Sequence, residues 1–168
     1  LEHHLLGNHL FANAKALVFA GLYFEGNEAS AWLQRGLELV SRELDEQVLD
    51  DGGHFERSPM YHALFLEDLL DLHNLLRSAP SAIPARHRGL DERLVMRIAA
   101  MRRWLAVMTH PDGGLSFFND CAHGMAPEVS ELDFTNGITI EGINVPALSV
   151  RRTDTSISLA SGESFVIS

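Results

Sequence analysis

The sequence predicts a mainly α-helical protein of helical hairpins followed by a few β-strands, and three observations lead there. Apolar residues recur at three- and four-residue spacing through most of the chain up to about position 130. Two turns of the same composition, Asp51-Gly52-Gly53 and Asp112-Gly113-Gly114, each follow an amphipathic stretch and precede an aromatic and polar segment. Such a weak internal repeat is expected of helical hairpins whose loops are delivered to one end of an array. From Thr135 the composition changes to β-branched residues and turns. The chain has 168 residues, 46% of them apolar, enough for one compact core but small for two complete domains. The expected division is a helical part over 1–133 and the beginning of a β domain over 134–168.

Residues 4–24 carry Leu5, Leu6, Leu10, Phe11, Leu17, Val18, Phe19 and Leu22 on nearly every side, which predicts an inner helix packed all round. Glu25-Gly26-Asn27 reads as a turn with Asn27 as N-cap. Trp32, Leu33, Leu37, Val40, Leu44 and Val48 then recur at helical spacing among charges, predicting an outer helix that Gly52-Gly53 ends. Ser58-Pro59 supplies an N-cap and an N1 proline for a third helix reaching about Leu76. Pro80 and Pro84 mark a linker. Leu94, Val95, Ile98, Met101, Leu105 and Met108 form the stripe of a fourth, amphipathic helix, with Arg93, Arg97, Arg102 and Arg103 expected on its solvated face. Strands are expected at Ile138-Thr139-Ile140, around Val150, at 156–159 and at 165–167. Two or three strands form no stable sheet alone, so they must pack on the helices or pair with further strands.

Thirteen Lys and Arg face 23 Asp and Glu, a formal net charge of −10. Nucleic acid is excluded as a partner, because counterion release needs a basic face. A polyanionic sugar requires a locally positive cleft on such a chain. Apolar runs are interrupted long before the ~20 residues a bilayer demands, so no transmembrane helix is predicted. Cys121 is the only cysteine, which excludes an intrachain disulfide and reads as a buried, inert thiol.

Chemistry concentrates in two places. Asn8 and His9 lie near the start of a helix that is otherwise apolar, where an amide and an imidazole cost a few kcal/mol unless hydrogen-bonded or turned to a polar cavity. A satisfied core pair and a site are both open on spacing alone. The segment Gly52-Gly53-His54-Phe55-Glu56-Arg57-Ser58-Pro59-Met60-Tyr61-His62 packs a cation, an anion, two imidazoles and a phenol into one loop and the first turn of a helix. There, free N–H groups and the dipole favour an anion. Tyr61, third in that helix, sits where a phenolate is stabilised by the dipole and by Arg57 or His62, which suits proton transfer. A capped helix start with a half-buried Tyr explains the same residues.

Glu2-His3-His4-Leu5-Leu6-Gly7-Asn8-His9-Leu10, Asn13-Ala14-Lys15-Ala16-Leu17 and the segment from Asp51 to His62 together resemble the heparinase II/III-like polysaccharide lyases. Pro111-Asp112-Gly113-Gly114 with Phe118-Asn119-Asp120 is similar to the same family. The resemblance spans about residues 1–127 and implies an incomplete (α/α) toroid followed by an antiparallel β-sandwich, and cleavage of uronic-acid-containing polysaccharides by β-elimination. It implies that Asn8 and His9 neutralise the uronate carboxylate and that Tyr61 protonates the leaving oxygen, acting also as base in syn elimination. His54, Glu56, Arg57 and His62 are then candidate substrate-binding residues, Glu56 as an orienting partner of Arg57 or His54. No cofactor or metal is implied, and a periplasmic or secreted location is. The family's further histidine, from the sandwich, has no counterpart identified after Thr135.

Three other classes compete. A metal site from Cys121 and His123, or from His54 and His62, lacks a recognised ligand spacing. A toroidal glycoside hydrolase needs two carboxylates at one cleft, for which Glu67, Asp68 and Asp71 are candidates. A non-catalytic helical scaffold is the third. The sequence reads as the later toroid hairpins and the entry to the sandwich, so the isolated chain is expected to self-associate through uncovered apolar surface and to be inactive alone.

Overall fold

The computed structural model describes residues 7–132 and the backbone of 138–140 and 143–145. Helix α1 spans Asn8–Tyr23 and is entered from Gly7 at φ 72°. The expected start at residue 4 lies outside the described residues, within which α1 begins at Asn8. Leu10, Phe11, Ala14 and Val18 are buried, whereas Leu17, Phe19 and Leu22 are only partly covered among the described residues, so α1 buries one face rather than its whole surface.

Helix α2 spans Asn27–Gln47 and is entered from Gly26 at φ 105°. Asn27, expected as the cap, is the first helical residue and makes no side-chain cap bond. Leu33, Leu37, Val40 and Leu44 line its buried face, and Trp32 sits at the edge of that face, 37% exposed. Helix α3, Pro59–Ser78, starts as the sequence predicts: Ser58 Oγ accepts the N–H of Tyr61 at 3.4 Å, and Pro59 occupies the first turn, where its missing donor costs nothing. Helix α4, Leu90–Val107, buries Leu90, Leu94, Ile98, Met101 and Leu105, leaving Val95 39% exposed.

Two antiparallel hairpins result. In the first, Gly36 brings α2 so close to α1 that a Cβ there would stand 2.8 Å from Val18 N and 3.0 Å from Ala14 O, and Gly21 meets Leu33 N as closely from the other side. In the second, His73 Nδ1 of α3 lies 2.6 Å from Asp91 Oδ1 of α4. The hairpins stand side by side with like helices in register. Phe11 packs on Phe65 with ring centroids 4.3 Å apart, and Lys15 Nζ binds Asp68 and Asp71 at 2.7 and 2.5 Å, so α1 and α3 run parallel. Burial alone would lower the Lys15 pKa, but the two carboxylates outweigh it and hold the ammonium above its ordinary value. Two of the three carboxylates considered for a hydrolase are thus committed to helix packing.

Arg93 reaches Ser41 Oγ and Asp45 Oδ2 at 2.6 and 2.7 Å, and Arg97 reaches Asp45 Oδ1 at 3.4 Å. These two arginines tie α4 to α2 instead of forming the expected solvated face. Beyond the helices, strand β1 (Ile138–Ile140) pairs antiparallel with β2 (Ile143–Val145), Ile138 opposite Val145. The strands expected near Val150, at 156–159 and at 165–167 lie outside the described residues. The described fold is mainly helical, and none of its helices is long and apolar enough to cross a membrane.

Gly21 and Gly36 set the depth of the first hairpin. Gly36→Ala is expected to destabilise the fold by about 1–3 kcal/mol through overpacking, as is Gly21→Ala, despite alanine's better helix propensity. Chemical denaturation monitored by circular dichroism measures it; unchanged midpoints would show that the two helices separate without cost.

Candidate active site

The antiparallel arrangement puts the starts of α1 and α3 and the ends of α2 and α4 at one rim, where the two Asp-Gly-Gly turns lie. They are one structural unit used twice. In the first, Gly52 and Phe55 donate to Leu49 O and Gln47 O, Leu49 donates to Gly53 O, and Asp51 Oδ1 accepts from Gly53 N–H. In the second, Gly113 and Ser116 donate to His110 O and Met108 O, His110 donates to Gly114 O, and Asp112 Oδ1 accepts from Gly114 N–H. Matching bridges, Val48 with His54 and Thr109 with Leu115, close both loops. The first turn also presses on α4: a Cβ at Gly52 would stand 2.5 Å from Ala100 O.

Beneath the first turn runs a buried polar chain. Gln47, fully buried, donates from Nε2 to Gly7 O at 3.0 Å and to Glu43 Oε2 at 2.9 Å. Both amide hydrogens being used, its oxygen is an acceptor, so His54 Nε2, 3.1 Å away, carries the proton of that ring. His54 Nδ1 is then bare, and it has no partner. The His54 backbone N–H donates to His62 Nδ1 at 3.2 Å, which makes His62 Nε2 the donor to Met101 O at 3.0 Å. His62 stacks on Trp104, ring centroids 4.4 Å apart. Both imidazoles are neutral. Burial pushes His54 down to about 3, His62 adding to the effect, and burial pushes His62 down to about 4.

His54 and His62, read from the sequence as substrate-binding residues, are therefore wholly enclosed and bonded within the chain. Their neighbours in sequence point differently. Glu56 accepts the backbone N–H of Asn8 and so caps α1 from another element; it is neither paired with Arg57 nor with His54 in any described bond. Gly7 makes room, since a Cβ there would stand 2.9 Å from Glu56 Oε1. Partial burial raises the Glu56 pKa, and Asp120 adds to it, against the opposing pull of the Asn8 N–H and of His9. Asn8 is half-buried, His9 and Arg57 are exposed, and Tyr61 is half-buried on the first turn of α3.

The segment after the second turn braces this loop. Asn119 Nδ2 donates to Arg57 O at 3.0 Å, Cys121 Sγ lies 3.3 Å from Ser58 Oγ and accepts from Met60 N–H at 3.5 Å, and Ala122 N–H approaches Met60 Sδ at 3.2 Å. Cys121 is thus half-buried and engaged at a helix start, not the inert core thiol expected. Among the described residues the non-glycine positions with positive φ are Arg57, Asn119 and Asp120, at 56°, 49° and 61°. Left-handed backbone at such residues costs of order 1–3 kcal/mol and persists where surroundings impose it. The sequence reading assigned no role to Gln47 or Asn119, whose contacts span distant elements; the repeated Asp-Gly-Gly turn was the available signal for Asn119. No group of three His, Cys, Asp or Glu side chains that could hold a metal occurs among the described residues.

Fold and rim define a helical-hairpin domain with a polar, braced loop at the starts of neighbouring parallel helices. The chain belongs to the heparinase II/III family, matching its N-terminal domain over residues 1–138. It is 46% identical over 57 residues to a heparin-sulfate lyase of Bacteroides stercoris, 33% of this chain and 9% of that protein. It is 37% identical over 65 residues to a heparin-sulfate lyase of Pedobacter heparinus, 38% and 10% respectively. An uncharacterized protein of Sinorhizobium fredii is 58% identical over 41 residues, 24% and 10%. These matches span about a tenth of the curated relatives' length. No solved structure matches the chain.

The buried imidazoles give the fold an acid limit. An unfolded histidine takes up a proton below about 6.5, whereas folded His54 and His62 do so only near 3 and 4. Stability is full above pH 6.5 and declines as pH falls toward 4, because the unfolded state then binds more protons, by up to about 2.7 kcal/mol per pH unit for two such groups. His54→Gln should flatten that decline. Urea midpoints measured from pH 8 to pH 4 test it, and pH-independent midpoints in the unsubstituted protein would show that the rings are not held neutral.

Proposed function

We propose that this chain is part of a polysaccharide lyase that cleaves a uronic-acid-containing polymer, heparan-sulfate-like or alginate-like, by β-elimination. One observation carries the reading: Asn8 with His9, and Tyr61, occupy the first turns of two parallel, adjacent helices at the rim where the braced loop lies. The family membership and the curated names support the substrate class. On this reading the helical hairpins are a portion of an incomplete (α/α) toroid over 1–133, and residues from 134 onward enter a β-sandwich.

The chemistry follows from the residue types. The proton on C5 of a uronate is acidic only if the charge that develops on the adjacent carboxylate is neutralised. Asn8 and His9 supply donors for that carboxylate, and Arg57, exposed on the loop whose Glu56 caps α1, supplies a cation. A base removes the C5 proton, its electron pair forms the C4–C5 double bond, and the C4–O bond breaks. Tyr61 gives its phenolic proton to the departing oxygen. As a phenolate stabilised by the α3 dipole, it first takes the C5 proton itself in syn elimination. Glu56 fixes the start of α1, and His54 and His62 fix the loop, so these three position the groups that touch substrate. A periplasmic or secreted location accords with a polymeric substrate.

In the full-length protein, Tyr61→Phe should lower turnover at least about 100-fold while leaving binding nearly unchanged, since it removes a proton donor and keeps the ring. The ultraviolet absorbance of the unsaturated product follows the reaction, and titration of an uncleaved oligosaccharide follows binding. An unchanged rate would remove Tyr61 as the acid, and reducing ends formed without the absorbance rise would indicate a hydrolase.

A further inference from the structure

The Arg57 guanidinium forms no hydrogen bond or ion pair among the described residues, although acid stands on both sides of it. Glu56 precedes it, and Asp120 follows Asn119, whose amide is bonded to the Arg57 carbonyl. Burial foremost raises the Glu56 pKa and Asp120 adds to it, so the two carboxylates share one neighbourhood. Elsewhere on the surface exposed arginines do pair, Arg35 and Arg86 with Glu38 and Arg42 with Glu43. What differs at Arg57 is the backbone. Its φ of 56° turns Cβ, and with it the side chain, relative to the flanking peptides, in a conformation unfavourable for arginine that must be held. Two bonds hold it. The Arg57 N–H donates to His54 O at 2.8 Å within the loop, and Asn119 Nδ2 donates to Arg57 O at 3.0 Å from 62 positions away.

We propose that Asn119 is a positioning residue for anion binding: its bond to the Arg57 carbonyl keeps the Arg57 guanidinium out of ion pairs with Glu56 and Asp120 and open to the carboxylate of a uronate. The inference rests on the lyase reading and adds to it a residue that acts through Arg57 alone. Asparagine suits the task, because it is among the few residue types that adopt positive φ readily, so it keeps its own φ of 49° while donating its amide. Without that bond Arg57 returns to the ordinary negative φ region, where its side chain pairs with the chain's own carboxylates. The site then loses its exposed cation with every substrate-touching residue still in place.

The test uses the full-length protein carrying Tyr61→Phe as parent, so that ligand is not consumed. The probes are a tetramannuronate, a tetrasaccharide of alternating glucuronate and N-acetylglucosamine, and the carboxyl-reduced form of each. Asn119→Gly, which accepts the positive φ and removes the amide, should weaken the charged probe about tenfold and leave its carboxyl-reduced form unchanged. Asn119→Ala, which removes the same donor without adding flexibility, should do likewise. In an Arg57→Gln background neither substitution should cost anything further, since the effect passes through the guanidinium. Asp120→Asn should recover most of the loss in Asn119→Gly while changing the parent less than about twofold. Equal weakening of charged and reduced probes, losses that add to that of Arg57→Gln, a loss in Asn119→Ala alone, an unchanged affinity, or a parent that binds neither charged probe would overturn the positioning role. Binding that depends on Arg57 and Asn119 as expected, with no unsaturated product from the protein bearing Tyr61 on any uronate polymer, would keep the positioning role and remove the lyase reading.

Discussion

The structure depends on the side-chain amide of Gln47. It is fully buried at the end of α2 and bonds the entrance of α1, the body of α2 and the Gly52-Gly53 loop at once, through Gly7 O, Glu43 and His54. A buried amide with every hydrogen-bonding position used specifies geometry far more sharply than apolar packing does, because each misplaced partner leaves a group unsatisfied at a cost of about 1–3 kcal/mol. Its orientation dictates the tautomer of His54, and the His54 backbone dictates that of His62. Glu43 is itself buried, and its second oxygen is satisfied by Arg42 at 2.7 Å. A charge at the surface is thereby connected, one bond at a time, to the floor of the loop that carries Glu56 and Arg57.

What the sequence reveals and what it conceals divide by the range of the interaction. The start of α3 is legible because its cap is local: Ser58, Pro59 and Tyr61 lie within four positions and need no partner from elsewhere. The stripes of α2 and α4 and the repeated turns are legible for the same reason, since period and glycine placement are properties of contiguous residues. Asn27 falls one position inside α2 and not at its cap, because Gly26, at φ 105°, makes the entry without a side-chain cap. Lys15 reads as a charge on an apolar helix until Asp68 and Asp71 arrive from α3. His54 and His62, polar residues in a polar-looking loop, invite a role in binding; only the tertiary packing of Phe55, Phe65 and Trp104 around their rings shows them enclosed.

The rim combines rigidity below with strain above. Arg57 holds a left-handed backbone because its N–H is fixed to His54 O at 2.8 Å on one side and its carbonyl to Asn119 on the other. Asn119 and Asp120 are left-handed too, so the strained residues of the two loops are joined by a hydrogen bond and support each other. For the polyanionic substrate proposed above, that arrangement bears on an electrostatic difficulty. A chain of net charge −10 repels a polyanion at long range, and screening over roughly 8–10 Å at physiological salt confines that repulsion, so local groups decide what binds. The fixed backbone sets where the exposed Arg57 side chain leaves the loop, and the starts of α1 and α3 add their partial positive charge at the same edge.

The repeated turn shows how such a fold distributes chemistry. The hydrogen bonds around Asp51 and Asp112 are the same, so the backbone delivers the following residues to equivalent places beside successive helices. Nothing in that geometry selects which side chains are delivered. Glutamate and arginine after the first turn make a charged position that also caps a helix, whereas two phenylalanines after the second make an apolar one. The glycines follow the same logic. Gly52 presses against α4 and tolerates no side chain, while a Cβ at Gly113 would meet nothing within 4 Å, so there only its φ of 88° favours glycine. Architecture thus sets where groups stand along the rim, and the few residues beyond each turn set what each position can recognise.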